Sequence, residues 1–229
     1  MSGRQEEILE AGLEIARERG LAAVSMRAVA ERVGVTPMAL YPHVGSKAAL
    51  LDGMVGRLLS RLPPPDAEPP DAEPPDAEPP GAEPPGDWRA QLAGFAHRAR
   101  ALAQEHPWSP ALLLARPAVT PDAVRAVDQI YTALLAAGVP PDQVPRAERM
   151  VGTFLLGFLA SEAGGRFGPG PEDPRGRRGR LPEGALPGHT ALARWLDAPV
   201  DWDAEFRADL ADLERLIEAM AAPPARPPA

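Results

Sequence analysis

The sequence predicts an all-α protein built as two helical domains on either side of a low-complexity linker. Apolar residues recur at helical spacing through most of the 229 residues, and no run alternates as a half-buried strand does. Residues 25–47, SMRAVAERVGVTPMALYPHVGSK, read as a helix, a glycine turn and a short second helix. Residues 63–87 are a Pro-rich acidic repeat that can join neither a helix nor a sheet.

The elements follow in order. Glu6 to Arg19 places Ile8, Gly12, Ile15 and Ala16 on one stripe, flanked by Leu9 and Leu13 with charges opposite, and Gly20 closes this amphipathic helix. Ser25 then caps a helix whose Val29, Ala30 and Val33 share a face, and Gly34 ends it. Three residues of turn lead to Thr36, a second capping residue, and Pro37 suits the first helical position because its missing N–H costs nothing there. Pro42 limits this helix to about two turns. Leu40 and Val44 are available for packing, while Tyr41 and His43 point elsewhere. So short a helix is poorly suited to core building and well suited to being held in a DNA groove, the geometry of a helix-turn-helix. Ser46 caps a fourth helix through Leu50, Leu51, Met54, Val55, Leu58 and Leu59, ending before Pro63.

From Pro65 the chain repeats PDAEP three times and then PGAEP. With no side chain larger than Ala to bury, this segment is expected to be an extended, semi-stiff linker. It also carries the whole charge imbalance. The chain is −8 overall, yet residues 63–87 hold eight acids and no base, so the other 204 residues sum to zero. Residues 1–62 hold eight basic and seven acidic groups. A DNA-binding domain this close to neutral must rely on a few placed groups and not on a broad positive field. Of the 24 basic residues Lys47 is the only lysine, and with abundant Ala, Pro and Gly that skew suggests a high-GC genome.

Beyond the linker, helices are expected at Trp88 to His106, Pro110 to Ala115, Asp122 to Ala137, Pro145 to Ala163 and Asp203 to Met220, with a short turn near Ala191 to Leu196. About 130 residues suffice for a core of their own. The domains are therefore 1–46, a connecting helix 47–62, the linker 63–87, a helical domain 88–222 and a disordered tail 223–229. The segment 145–163 is apolar on nearly all sides, which suggests that one face meets the core and another a second subunit. Leu210, Leu213, Leu216 and Ile217 of the last helix would complete a four-helix dimer interface. Arg166, Arg175, Arg177, Arg178 and Arg180 fall in a Gly/Pro-rich loop between Arg166 and Gly188, read as mobile.

Little suggests catalysis. There is no cysteine, and His43, His97, His106 and His189 are scattered without metal-ligand spacing. No GxSxG, GxxxxGK or GxGxxG occurs. The expectation is no enzyme, no cofactor and no metal. With no signal peptide before Met1 to Gln5 and no membrane-length apolar run, a cytoplasmic protein is expected.

The run Leu40, Tyr41, His43, Val44 and Lys47, preceded by a helix ending in Gly34-Val35, resembles the DNA-binding domain of the TetR family of transcriptional regulators over roughly residues 5 to 58. The resemblance implies a homodimeric, ligand-responsive repressor on a double-stranded palindromic operator, with the fourth helix linking the DNA domain to a sensor domain. It implies phosphate contacts for Tyr41, His43 and Lys47. Base reading then falls to Arg27, whose fork matches guanine O6 and N7, and to the exposed face of Thr36, Pro37 and Met38. A small-molecule effector is expected in a cavity of the sensor domain, with Phe95, Trp108, Leu112, Tyr131, Phe154 and Phe158 as apolar candidates and His97, Arg116 and Glu162 supplying polarity. Around Arg116-Pro117, and from Thr153 to Glu162, the chain is similar to the tetracycline repressor class. Leu112 and Ser161 depart from that class at its metal-ligand and water-reached acidic positions, which favours an apolar or aromatic effector over a metal–tetracycline. A different class of function stays open: a DNA-independent interaction module docking partners through the Pro/acidic repeat.

Overall fold

The computed structural model describes residues 3–62, 87–167, 186–196 and 198–222. The Pro/acidic repeat, arginines 175, 177, 178 and 180 and the 223–229 tail lie outside the described residues. Ten α-helices are present among the described residues, and no strand: α1 (Gly3–Arg19), α2 (Met26–Val33), α3 (Pro37–Val44), α4 (Lys47–Leu59), α5 (Trp88–Glu105), α6 (Ser109–Ala115), α7 (Pro121–Ala136), α8 (Val144–Ala163), α9 (Pro187–Leu196) and α10 (Trp202–Ala221).

The first three helices pack around the stripe of α1. Ile8, Leu9, Leu13, Ile15 and Ala16 are buried against Val29 and Ala30 of α2 and Leu40 and Val44 of α3. Ser25 Oγ accepts from the Ala28 N–H at 3.1 Å, and Gly34, at φ 76°, takes the left-handed conformation that ends α2. Thr36 differs from expectation. It occupies the capping position with extended backbone, but its hydroxyl makes no cap bond and is left on the surface. Pro37 compensates, because with a proline at the first position one fewer N–H needs a partner. Ser46 caps α4 through the Ala49 N–H at 3.1 Å.

α4 belongs to both halves. Its Leu50 and Met54 close the first bundle, while its far end packs on α6 and α7. Two glycines make this possible. A Cβ on Gly53 would lie 2.5 Å from Leu9 Cδ2, and one on Gly56 2.4 Å from the Thr120 side chain that caps α7. Each glycine costs about 1 kcal/mol of helix propensity relative to alanine, and close approach on two sides of one helix is what that cost permits.

In the second half, α5, α7 and α8 form the centre, and α10 lies against them. Phe206 of α10 is fully buried, 4.8 Å from the ring of Phe158 and edge-on to His97 at 5.4 Å. Arg100 of α5 ties the helices together, bonding the Glu162 carboxylate of α8 and Asp203 of α10 while its guanidinium lies 4.8 Å from the Phe206 ring. Bonding to Glu162 holds Arg100 above its ordinary pKa.

Two expectations are corrected here. Leu210, Leu213 and Ile217 are buried in the chain's own core, and only Leu216 of the four is exposed. Phe206, one and two turns before Leu210 and Leu213, extends the same apolar stripe and packs on His97 of α5 and Phe158 of α8. The turn at Ala191 to Leu196 is instead the end of the ten-residue helix α9, with Pro187 in its first turn, where proline is tolerated. None of its residues is buried, and Leu192, Trp195 and Leu196 are exposed.

Candidate nucleic-acid interface and effector cavity

The α2–turn–α3 unit presents one continuous exposed face. In α3 only Leu40 and Val44 are buried, so Pro37, Met38, Ala39, Tyr41, Pro42 and His43 all face outward. Met38 is 74% exposed, an unusual position for a methionine in a folded domain. Arg27, in the first turn of α2, and Lys47, the first residue of α4, are exposed too. All seven residues expected to meet DNA therefore lie on the surface, six on this unit and Lys47 at the start of the next helix, and Ala39, which no motif singles out, is exposed beside them.

Charge sorting explains how a nearly neutral domain offers a cationic face. Five of its seven acids are held by arginines away from α3: Glu7 by Arg4, Glu14 and Glu18 by Arg32, Glu10 by Arg57 and Arg61, and Asp52 by Arg116. The Arg32 hydrogen bond holds the Glu18 carboxyl below its ordinary range. Arg27 and Lys47 form no ion pair among the described residues, so their charge is available to a phosphate or a base. Neither Glu6 nor Glu31, the remaining acids, is paired among them.

A cavity of about 250 Å³ lies among α4, α5, α6, α7 and α8. Its wall is mostly aliphatic: Val55 and Leu59 come from α4, Leu102 from α5, Leu113 from α6, Ile130 from α7 and Leu155 from α8. Phe95 is its one aromatic group among the described residues, and Ser109, Arg116 and Glu148 are its polar ones. Ser109 is fully buried and its Oγ has no hydrogen-bond partner. Burial pushes the Glu148 carboxyl above its usual range, with exposed Arg149 opposing the shift.

Of the nine residues expected at an effector, Phe95 and Arg116 line this cavity and seven do not. Leu112 belongs to the buried core, and Tyr131 is half-buried at the edge of that core. His97 and Phe158 pack on Phe206, Phe154 stands beside Phe158 at 6.3 Å, and Glu162 is taken up by Arg100. Trp108 lies tilted beside His106 at 5.8 Å, with its indole N–H buried and unpartnered among the described residues. His97 and Phe158 thus build the junction with α10, and none of these seven residues lines the cavity. Glu148 carried no clear signal in the sequence, because it sits between Arg146 and Arg149 on a helix that also holds Glu162 and so looks like an ordinary solvated charge. Ser109 and the aliphatic wall carried none, because a leucine lining a cavity and a leucine filling a core look alike.

Arg116 connects the cavity to the first domain. Its Nε donates to Asp52 Oδ1 of α4 at 2.8 Å, and a terminal nitrogen reaches the Ala48 carbonyl at 3.3 Å, one residue after Lys47. One side chain thus touches both the cavity and the start of the helix that carries the free lysine.

The family model for bacterial regulatory proteins of the tetR family matches residues 8–54, and the tetracyclin repressor-like C-terminal domain model matches residues 79–218. The chain belongs to the TetR family. An HTH-type transcriptional regulator of Saccharopolyspora erythraea is 28% identical over 88% of this chain and 79% of its own length. The HTH-type transcriptional repressor DrrR1 of Streptomyces coeruleorubidus is 30% identical over 69% of this chain and 53% of its own. Among solved structures, the TetR family protein ActR of Streptomyces coelicolor, in complex with actinorhodin, superposes with a TM-score of 0.75 at 22% identity, covering 96% of this chain and 98% of ActR. The fold is that of a TetR regulator, and the α2–α3 unit is the helix-turn-helix of a DNA-binding transcriptional regulator. Among the described residues no helix is long and apolar enough to cross a membrane.

Proposed function

We propose that the chain is a homodimeric repressor whose two α3 helices enter successive major-groove faces of a palindromic operator, about 34 Å apart. Tyr41, His43 and Lys47 hold the phosphate backbone, and Arg27, Thr36, Pro37 and Met38 meet the base edges. An effector enters the cavity among α4 to α8 and favours a dimer whose helix spacing no longer fits the operator.

The observation that carries this reading is the shared helix. α4 supplies Val55 and Leu59 to the cavity wall, and Lys47 stands at its other end. Anything that wedges the cavity therefore acts on the element that places Lys47. That ActR is crystallised with a small molecule supports the effector half of the reading. The test is a mobility shift on the DNA upstream of the protein's own gene and its neighbours at fixed salt. Retention of a fragment by the native protein, with binding weakened in Tyr41→Ala and the dimer intact, is the expected result. If Tyr41→Ala binds as tightly as the native protein, α3 is not the DNA contact.

A further inference from the structure

The polar groups of the cavity are few enough to ask what charge it accepts. Arg116 is the one basic side chain in the wall among the described residues, and its guanidinium is already committed to Asp52 and the Ala48 carbonyl. Glu148 is the one acid there, and it has no ion pair or hydrogen bond among the described residues. Its Oε1 lies 3.5 Å from the position a Cβ would take on Gly152, so the carboxylate rests along the open flank of α8, over a glycine that also lines the cavity. Ser109, fully buried with a free hydroxyl, is the second unspent polar group. Beside the committed Arg116, the wall therefore holds one carboxyl group with no ion-pair partner in the wall, a vacant hydroxyl and otherwise apolar surface. An anionic effector would meet a carboxylate and no free cation. A neutral apolar effector would leave Glu148 and Ser109 desolvated without partners, which buried polar groups rarely tolerate.

We propose that the effector is a lipophilic monocation, a compound carrying one protonated amine on an apolar body, with Glu148 as its counter-ion and the Ser109 hydroxyl as a hydrogen-bond partner. This rests on the reading of the cavity as the effector site. The cation supplies the charge that Glu148 lacks, and the aliphatic wall from α4 to α8 takes the apolar body. Specificity for the amine comes from a wall that offers an anion no cationic partner.

The test uses the full-length protein and three probes of one shape, phenylbutylamine, phenylbutanol and phenylbutyrate, followed by calorimetry at neutral pH. The amine should bind about tenfold or more tighter than the alcohol, as expected for a hydrogen-bonded ion pair, with the carboxylate weakest. In Glu148→Gln, checked by circular dichroism, the amine should fall to the affinity of the alcohol while the alcohol is unchanged. Leu155→Trp, which fills the cavity, should abolish binding of both. Equal binding of all three probes, or an amine preference that survives Glu148→Gln, overturns the charge assignment and leaves the cavity as effector site standing. Binding of none of the three to the native protein overturns both. If Glu148→Gln does not fold, the ranking of the three probes on the native protein decides.

Discussion

Lys47→Ala removes one exposed cation and nothing else that the fold uses. The ammonium makes no ion pair among the described residues, the residue is the first of α4, and alanine is the better helix former. Folding stability should therefore change by no more than about 0.5 kcal/mol. The effect on DNA is larger and has a specific signature. Each phosphate neutralised releases counterions and contributes about 0.9 to the slope of log affinity against log salt. A dimer that loses one such contact per subunit should lose about 1.8 of that slope, uniformly across operator variants. Fluorescence anisotropy of a labelled operator over a series of salt concentrations measures this directly. Arg32→Ala is the control, since Arg32 is spent on Glu14 and Glu18 and its loss should lower stability while leaving the slope intact. A Lys47→Ala slope equal to that of the native protein would refute the argument that charge sorting leaves this lysine for phosphate.

Three further outcomes follow from the packing. Gly56→Ala should destabilise by about 1 to 3 kcal/mol in chemical denaturation, despite the gain in helix propensity, because the added methyl would stand 2.4 Å from the Thr120 hydroxyl and α4 must shift from α7. Arg100→Met leaves Glu162 without its partner; a fully buried orphan would cost about 3 to 5 kcal/mol, but Glu162 retains some exposure, so about 2 kcal/mol is expected from the same measurement. His106 is buried beside Arg61, Glu105 and Trp108, with Arg17 and Glu10 of α1 facing it, and burial holds its imidazole below the ordinary value. The unfolded chain therefore binds the proton more readily, so the contribution of His106 to stability is complete above about pH 6.5 and falls as pH drops toward its lowered folded value. Thermal melts across that window should show this slope in the native protein and a flatter one in His106→Gln.

Most of the fold was legible because its signals are local. Ser25, Gly34, Ser46 and the stripe of α1 act through backbone geometry and helical periodicity, which any window of sequence contains. The outward face of α3 was legible for the same reason, since two turns with two buried residues leave the rest outside. What escaped depends on which helix meets which. Leu210, Leu213 and Ile217 satisfy a dimer seam or an internal core equally well by pattern, and Phe206 decides for the core only once it meets Phe158. Phe154 and Phe158 looked like cavity walls because they are aromatic, yet the space lies one flank over, at Gly152, Leu155 and Leu156. The bond from Arg116 to Asp52 spans 64 residues, and no spacing rule points to it.

A symmetric pair of α2–α3 units that reads DNA must select a symmetric sequence. Selecting bound fragments from a random-sequence DNA pool with the full-length protein tests it most directly. The expected result is enrichment of a two-fold symmetric sequence, with half-sites centred about one helical turn apart, that Lys47→Ala recovers only at lower salt. Enrichment of no sequence, or of one without symmetry, would contradict it.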